Sequence, residues 1–349
     1  MTRSPSEQRA ARISAPALLY AAALGLACGS PVESPPPPPP PPPAPGTIEA
    51  QAQLTAAVRD VSYDGKRQRL YLSAPDLNQI HVFDLAAAAF LSPIALPSRP
   101  AGIDITADQD TLVIAMPAAG TLQLLPIQNP TSFSASIPVP SLVFANQRPD
   151  WVRLLANRHA FVSMTFDGSG FGGTLMDVDL NTRTSQRRTD ASVNGVVTQR
   201  TPLARSADRQ HLVVFIDFSC CPYEASAYTV ANDAFTSVRQ TVAIAHGVPT
   251  AVSADSQGAQ FLLANEVYTS GLVLAASAPG RDVTVSAIAL SGGRLWFRDP
   301  AGVIAFDLPG GTVAYTVPIP DPVELIVALP DGKRLAVVST TKLYIVRGR

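Results

Sequence analysis

Residues 101–127, AGIDITADQDTLVIAMPAAGTLQLLPI, contain the pattern that decides the fold. A polar turn at residues 107–110 and a break at residues 117–120 separate three short runs of alternating or β-branched residues, typical of strands: residues 102–106, 111–115 and 121–127. A fourth such run, residues 134–139, follows a polar loop. Four strands at this spacing predict one four-stranded antiparallel sheet without a helix.

The same pattern recurs seven times along the chain. Its first mark is a polar turn followed by an apolar second strand, and it occurs at Asp64, Asp108, Asn157, Asp208, Asp255, Ser291 and Asp331. Its second mark is a third strand, at residues 80–85, 121–127, 174–180, 225–230, 271–276, 303–308 and 342–346. Because two independent marks give the same count, the sequence predicts an all-β fold, a seven-bladed β-propeller of four-stranded antiparallel blades.

The two ends of the repeat predict how the ring closes. The run IEAQAQLT at residues 48–55 alternates as a strand does but precedes the first blade, whereas the last blade has no fourth strand after residues 342–346. Pairing of these runs would close the ring and cover its edges. Blade five is irregular, because its fourth strand falls at residues 281–285 with almost no loop before residues 286–290. Six or eight blades are therefore alternatives.

Several of these motifs resemble those of one family. The third strands IHVFDL (residues 80–85) and VIAFDL (residues 303–308), the aspartate turn before a leucine, and the entry PAGI (residues 100–103) are similar to the YVTN and lactonase-like group of seven-bladed β-propellers. The resemblance covers residues 47–349 and implies the fold. The group includes surface proteins, binding scaffolds and some hydrolases, so the resemblance does not imply a single activity.

The composition excludes some functional classes. The chain has 349 residues, of which 46% are hydrophobic and 15% charged, which is enough apolar material for a core. A net charge of −1 at pH 7 disfavours a nucleic-acid partner. The only tryptophans are Trp151 and Trp296, without the tryptophan-docking repeats of cofactor-dependent dehydrogenase propellers. We therefore predict no cofactor.

Residues 1–28 have the pattern of an export signal. An arginine-rich start precedes an apolar stretch, residues 13–27, that is too short to span a membrane. The segment resembles a bacterial lipoprotein signal and implies that Cys28 is lipidated after cleavage, although Gly25 and Leu26 depart from the usual pattern. The alternatives are an ordinary secretory peptide cut just before the cysteine, and an uncleaved anchor.

Residues 29–46 are predicted to form a tether. Residues 35–43 are an unbroken proline run, and proline in series forms a polyproline II rod of about 3.1 Å per residue, roughly 30 Å in all. The alternative is a ligand for a proline-recognising module. Together with Cys28, the tether predicts a propeller anchored by lipid to the cell envelope, on the outer membrane or the cell surface.

Three arginines predict a binding rim on one face of the propeller, here called the loop face. This face is formed by the connections between blades and by those between second and third strands. Arg99, Arg148 and Arg200 stand before or near a proline in three successive blade connections, which predicts a cationic rim for a carboxylate or phosphate. Alternatively, the prolines stiffen the turns, and the arginines are solvated or pair with a neighbouring blade.

The first strands, which line the central channel of a propeller, carry further charges. These are Asp60, Asp104, Arg153 and Arg205. Opposite charges on neighbouring strands can pair across the channel, and the alternative is a pocket for a polar ligand or a metal. No cluster of histidines or carboxylates supports the metal, so no metal site is predicted.

Two longer connections between second and third strands carry unusual residues. Cys220 and Cys221 are adjacent, and after export they could close a vicinal disulfide. The alternatives are a reduced pair and a soft-metal site completed by His246. The glycine-rich residues 167–173 lack the strand and helix of a phosphate-binding loop, so a flexible turn is predicted, with weak calcium potential through Asp167 and Ser169.

The leading functional hypothesis is a non-enzymatic scaffold that binds a protein, a glycan or a small anionic ligand on the loop face. The candidate ligand-binding residues are Arg99, Arg148, Arg200, Asp104, Arg153 and His246. The competing hypothesis is a lactonase-like or other hydrolase whose site lies at the channel mouth. The sequence contains no Gly-x-Ser-x-Gly or HExxH motif, so the enzymatic hypothesis rests on fold analogy.

Overall fold

The computed structural model of the chain describes residues 41–349, except residues 143–145, 167–172, 193–196, 198–200, 217–223, 240–251, 278–287 and 309. The unit Pro43–Arg349 holds every strand named below. Its one helical element in the described ranges is a 3₁₀ turn, Pro75–Leu77. The described part of the chain contains no helix with the length and hydropathy needed to cross a bilayer.

The first half of the described unit forms three complete antiparallel blades. The chain begins with β1 (Ile48–Gln53) and continues into blade one, which contains β2 (Asp60–Asp64), β3 (Arg69–Ala74), β4 (Gln79–Asp84) and an outer edge split into β5 (Ala89–Phe90) and β6 (Ile94–Ala95). Blade two contains β7 (Ile103–Ile105), β8 (Thr111–Met116), β9 (Thr121–Pro126) and β10 (Ala135–Pro138). Blade three contains β11 (Arg148–Leu154), β12 (His159–Thr165), β13 (Leu175–Asp179) and β14 (Thr184–Arg188).

Four further blades complete the ring. Blade four contains β15 (Leu203–Arg205), β16 (His211–Ile216), β17 (Glu224–Thr229) and β18 (Ala234–Arg239). Blade five contains β19 (Val252–Ala254), β20 (Gln260–Leu263), β21 (Glu266–Thr269) and β22 (Leu274–Ser277). Blade six contains β23 (Ile288–Ser291), β24 (Arg294–Asp299), β25 (Gly302–Asp307) and β26 (Thr312–Pro318). Blade seven contains β27 (Val323–Ala328), β28 (Arg334–Ser339), β29 (Lys342–Arg347) and, as its outer strand, β1.

The seven-bladed propeller predicted from the repeats is confirmed, as is its closure by the N-terminal strand. β1 pairs antiparallel with β29, with Gln51 opposite Tyr344 and Gln53 opposite Lys342. The hydrogen bond from the Gly46 N–H to the Arg347 carbonyl, 2.7 Å, extends the ladder by a further residue. The last blade thus obtains its fourth strand from the start of the propeller sequence.

The strand assignment predicted within blade five is wrong. Residues 271–276 were expected to form the third strand, but β21 takes that place and Leu274–Ser277 is the fourth strand. The cause is a two-residue connection between β20 and β21, in which Ala264 adopts a left-handed φ of 55° without the glycine that usually marks such a turn. Residues 281–285, where the fourth strand was expected, lie outside the described residues.

Adjacent blades pack face to face, which explains why the second strands are apolar on both sides. In β8, Val113 belongs to the same buried cluster as Val162 of blade three. Ile114, which points to the opposite side, belongs to a cluster with Val82 of blade one. Because side chains alternate along a strand, successive residues of a second strand pack against the two blades on either side of it.

Blades two and three approach each other closely at Gly102, which immediately precedes β7. Its N–H donates to the Asp150 carbonyl over 2.7 Å. A Cβ atom at this position would lie 2.6 Å from that oxygen and 2.8 Å from both Trp151 Cα and Val152 N. These are backbone atoms, which cannot rotate away, so the contact between the two inner strands requires glycine.

We expect Gly102→Ala to lower the free energy of unfolding by about 2 kcal/mol or more, because the added methyl group must push the two inner strands apart. Urea-induced unfolding at pH 7 measures the change. Gly271→Ala is the matched control, since its Cβ would meet only the Thr269 hydroxyl oxygen, at 3.8 Å. An equal effect of both substitutions would show that the close approach of the strands does not matter.

Candidate functional site

The central channel contains two adjoining cavities. The first strands of all seven blades line one of about 180 Å³. A second cavity, of about 280 Å³, lies where the turns between first and second strands meet, and it is here called the basal mouth; its walls are Tyr63, Gly65, Gln109, Arg205, Ala207, Arg209, Pro330 and Asp331. The two cavities share Tyr63, Arg205, Ala207 and Pro330, so the channel continues into the basal mouth, at the end opposite the loop face.

Asp60 at the start of β2 anchors the first ion pair of the channel. It is only 4% exposed, and Arg153 donates to its two carboxylate oxygens over 2.8 and 3.0 Å. The backbone N–H groups of Val61 and Ile103 donate to the same carboxylate, each over 2.9 Å. Asp60 is therefore charge-balanced and hydrogen-bonded within the wall.

Asp104 on β7 repeats this arrangement one blade further round. Arg205 donates to its two oxygens over 2.6 and 2.7 Å, and the N–H groups of Ile105 and Leu154 donate over 2.8 Å each. Burial alone would raise the pKa of Asp104, but the charge and hydrogen bonds of Arg205 hold it well below its usual range. The predicted pairing of channel charges is therefore present, although each pair joins strands two blades apart rather than adjacent ones.

Arg209, which the sequence analysis did not select, is a third cation at this end of the channel. It is 9% exposed, its Nη1 donates to the Leu154 carbonyl over 3.2 Å, and the same nitrogen lies 3.9 Å from Oδ2 of Asp104. Burial, together with the charge of Arg205, lowers the pKa of Arg209 to about 10, despite the attraction of Asp104. Asp104 is thus shared between two arginines and fully pairs only with Arg205.

The rest of the channel wall is largely apolar. Blades five, six and seven contribute Val252, Ile288, Leu290 and Ile326 to the cavity of about 180 Å³. The charged side chains named above come from blades one to four, so the channel has one charged side and one apolar side. Among the described residues, no three His, Cys, Asp or Glu side chains are grouped so that they could hold a metal ion.

Two of the three arginines of the predicted rim lie at the described surface of the loop face. The Arg99 side chain is 66% exposed and pairs with Asp76 of blade one over 2.7 Å, which is the neighbouring-blade pairing that the sequence left open. Arg148 begins β11 and is exposed. The remaining candidates, Arg200, His246, Cys220, Cys221 and Cys28, lie outside the described residues. Of the described candidates, Arg99 and Arg148 lie on the loop face, whereas Asp104 and Arg153 lie in the channel wall.

The loop face also carries residues that the sequence analysis missed. Arg59 lies over the Trp151 ring, 4.4 Å from its centroid, and donates to Asp150 over 2.8 Å. Leu77, in the 3₁₀ turn, is 42% exposed, and Leu142, in the connection between blades two and three, is 51% exposed. The only sequence signal for these positions was their place in loop-face connections.

A second charged cluster, between blades three and four, is internally satisfied. Arg188 pairs with Asp190 over 2.7 Å and with Asp233 over 3.0 Å, and its guanidinium lies within 6 Å of the Phe161, Tyr228 and Phe235 rings. The hydrogen bonds that Arg188 donates to Asp190 raise the pKa of Arg188 despite its partial burial. Because its partners are all in place, this cluster joins the two blades rather than offering a site.

The blades, their closure and the channel define the chain as a seven-bladed β-propeller. Comparison of the sequence with models of protein families and with curated proteins found no match. The resemblance to the YVTN and lactonase-like group consequently stays an expectation drawn from sequence motifs, and the fold is established by the structure alone.

We expect Arg205→Gln and Arg209→Gln to have opposite effects on stability. Arg205→Gln leaves Asp104 buried without its main partner, which costs about 3–5 kcal/mol. Arg209→Gln removes a buried cation that has no carboxylate of its own, so the free energy of unfolding stays the same or rises. Urea-induced unfolding at pH 7 measures both, and a large loss of stability in Arg209→Gln would show that its charge is structurally compensated.

The lowered pKa of Asp104 makes its contribution to stability depend on pH. A carboxylate whose pKa is lower in the folded state stabilises the fold fully above its unfolded pKa, about 4, and loses this contribution as pH falls below that value. The difference in unfolding free energy between the wild type and Asp104→Asn should therefore be constant from pH 7 to pH 5 and shrink below pH 4. The exposed Glu324→Gln serves as control, and a pH-independent difference for Asp104→Asn would contradict the assignment.

Proposed function

We propose that this protein is an exported, lipid-anchored propeller that recognises a protein partner through its loop face and does not itself transform a ligand. A glycan and a small anionic ligand are the other occupants compatible with such a face. The proposal is carried by the composition of the described loop-face surface.

The described loop face combines exposed apolar side chains with exposed arginines. Exposed Leu77 and Leu142 supply apolar surface, and exposed Arg99 and Arg148 supply charged groups within blades one to three. Arginine and aromatic residues are enriched at interfaces, and an apolar centre with a polar rim is their usual arrangement. We take this mixture of apolar and charged surface on a rigid ring as the basis for proposing a macromolecular partner rather than a small polar ligand.

The channel carboxylates support binding rather than hydrolysis. A general base works best with a pKa near the operating pH, whereas the pKa of Asp104 is well below its usual range because Arg205 holds its carboxylate. Asp60 is likewise engaged by Arg153 and by two backbone N–H groups. Because Arg205 holds the Asp104 carboxylate in its ionised form and Arg153 occupies the Asp60 carboxylate, we do not propose the hydrolase.

The proposed location rests on the sequence upstream of the propeller. The export-like residues 1–28 end at Cys28, and the proline run at residues 35–43 would hold the domain away from the membrane as a stiff spacer. A lipid anchor and a stiff spacer suit a domain that presents one face to a partner at the cell envelope.

Site-specific photo-crosslinking in intact producing cells tests the proposal. With a photoreactive residue in place of Leu142, we expect a discrete protein adduct, and with the same residue in place of exposed Lys333, on the basal side, we expect none. In parallel, Cys28→Ala should release the protein from the membrane fraction. Equal adducts at both positions, or no protein adduct at position 142, would contradict a partner on the loop face. Lactone hydrolysis that is lost in Asp104→Asn would instead support the hydrolase.

A further inference from the structure

Arg209 is held in place by a turn that most blades share. In blades two, three, four, five and seven, the fourth residue of the turn donates its N–H to the carbonyl three residues earlier, and these residues are Gln109, Arg158, Arg209, Gly258 and Gly332. All five have a left-handed φ, between 59° and 69°. Glycine adopts this conformation without strain, and blades five and seven have glycine at this position. A left-handed φ at Arg209 in blade four therefore carries a conformational cost.

The guanidinium of Arg209 retains donors for a ligand. Its side chain has the Leu154 carbonyl and the distant Asp104 oxygen as its only partners within the described ranges, and both contacts involve Nη1. Nε and Nη2 therefore remain to donate from a residue that lines the basal mouth and is more than nine-tenths buried. Neither nitrogen is sealed off from solvent, so an acceptor that enters the cavity can pair with them.

Two neutral donors lie in the same cavity wall. Oε1 of Gln109 accepts from the Lys66 N–H over 2.6 Å, and no described residue accepts from its Nε2. The Tyr63 hydroxyl accepts from Gln68 over 2.7 Å, which leaves its own proton to donate. Burial and the nearby Asp331 raise the pKa of Tyr63, so the hydroxyl keeps that proton.

The charges around the basal mouth leave a single positive charge uncompensated. Asp60 and Asp104 balance Arg153 and Arg205. Asp108, whose charge also acts on Arg209, lies 3.7 Å from Arg158, so among the described charges named here Arg209 remains. Asp331, which also lines the cavity, is paired with Arg334 over 2.7 Å. A monoanion would neutralise this surplus. The Tyr63 ring, Pro330 and Ala207 supply apolar surface for the uncharged part of such a ligand.

We propose that the basal mouth binds a small monocarboxylate with an apolar, ring-like body, its carboxylate on Arg209 and its body against Tyr63 and Pro330. The planar fork of a guanidinium matches the two oxygens of a carboxylate. A cavity of about 280 Å³ is near the lower end of small-molecule sites, which are roughly 300 Å³ and larger, and accommodates a molecule the size of benzoate. This site is independent of the partner proposed for the loop face, because it lies at the opposite end of the channel.

Isothermal titration of the full-length protein with benzoate, and with benzamide as its neutral counterpart, tests this site. We expect benzoate to bind at least tenfold more tightly than benzamide, and Arg209→Gln to weaken benzoate by about tenfold or more. Glutamine is chosen because Gln109 already occupies the equivalent turn position in blade two. Arg209→Lys, which retains the charge but not the fork, should weaken binding less than Arg209→Gln.

Arg158→Gln is the matched control. Arg158 occupies the same turn position one blade earlier, with a φ of 64°, but its side chain is 52% exposed and it does not line the cavity. Its substitution should leave benzoate affinity unchanged. Equal binding of benzoate and benzamide, undiminished binding in Arg209→Gln, or an equal loss in Arg158→Gln would overturn the proposal. Binding of inorganic phosphate without binding of benzoate would overturn the assignment to carboxylates.

Discussion

Two buried aspartates each hold three successive inner strands, and the geometry of the channel depends on them. Asp60 accepts from the backbone of its own blade, from Ile103 of blade two and from Arg153 of blade three. Asp104 does the same for blades two, three and four. Because a buried carboxylate must be satisfied, the angle between these blades is fixed by hydrogen bonds as well as by packing. Blade five has a neutral counterpart, since the Ser253 hydroxyl accepts from the Leu290 N–H of blade six.

The repeat could be recognised from sequence because each blade buries a second strand between two neighbours. Such a strand must be apolar on both faces, as β8 is from its second residue onward. The apolar run can be recognised in every blade even where the loops differ in length. The outer strands face solvent on one side and leave weaker marks. The strand assignment of blade five was wrong for a related reason. Ala264 turns the chain without a glycine, and the glycine at position 271 marks the next turn along the chain instead. A turn formed by an unusual residue gives no compositional signal.

The candidate site was only half predictable. Asp60 and Arg153 stand on inner strands, whose position follows from the repeat, so their meeting in the channel could be expected. Arg209 stands in a surface turn, where arginine is ordinarily solvated. The alignment of the turns gives only a weak signal, because Gly258 and Gly332 occupy this position but Arg158 of blade three is an exposed arginine there. The Arg209 guanidinium is buried because blade four packs beside blade three, and this packing is not visible in the sequence.

Closure of the ring by β1 and β29 sets the order in which the protein can be completed. β1 is made before any blade, yet its only strand partner, β29, is the last strand of the propeller to be synthesised. Until then blade seven lacks its two outer strands, and the buried cluster that it shares with blade one is incomplete. The two partners are separated by almost the whole propeller sequence, so this pairing has a high contact order and is a late, slow event in folding. A chain that folds after crossing a membrane would therefore remain open until its final strand emerges.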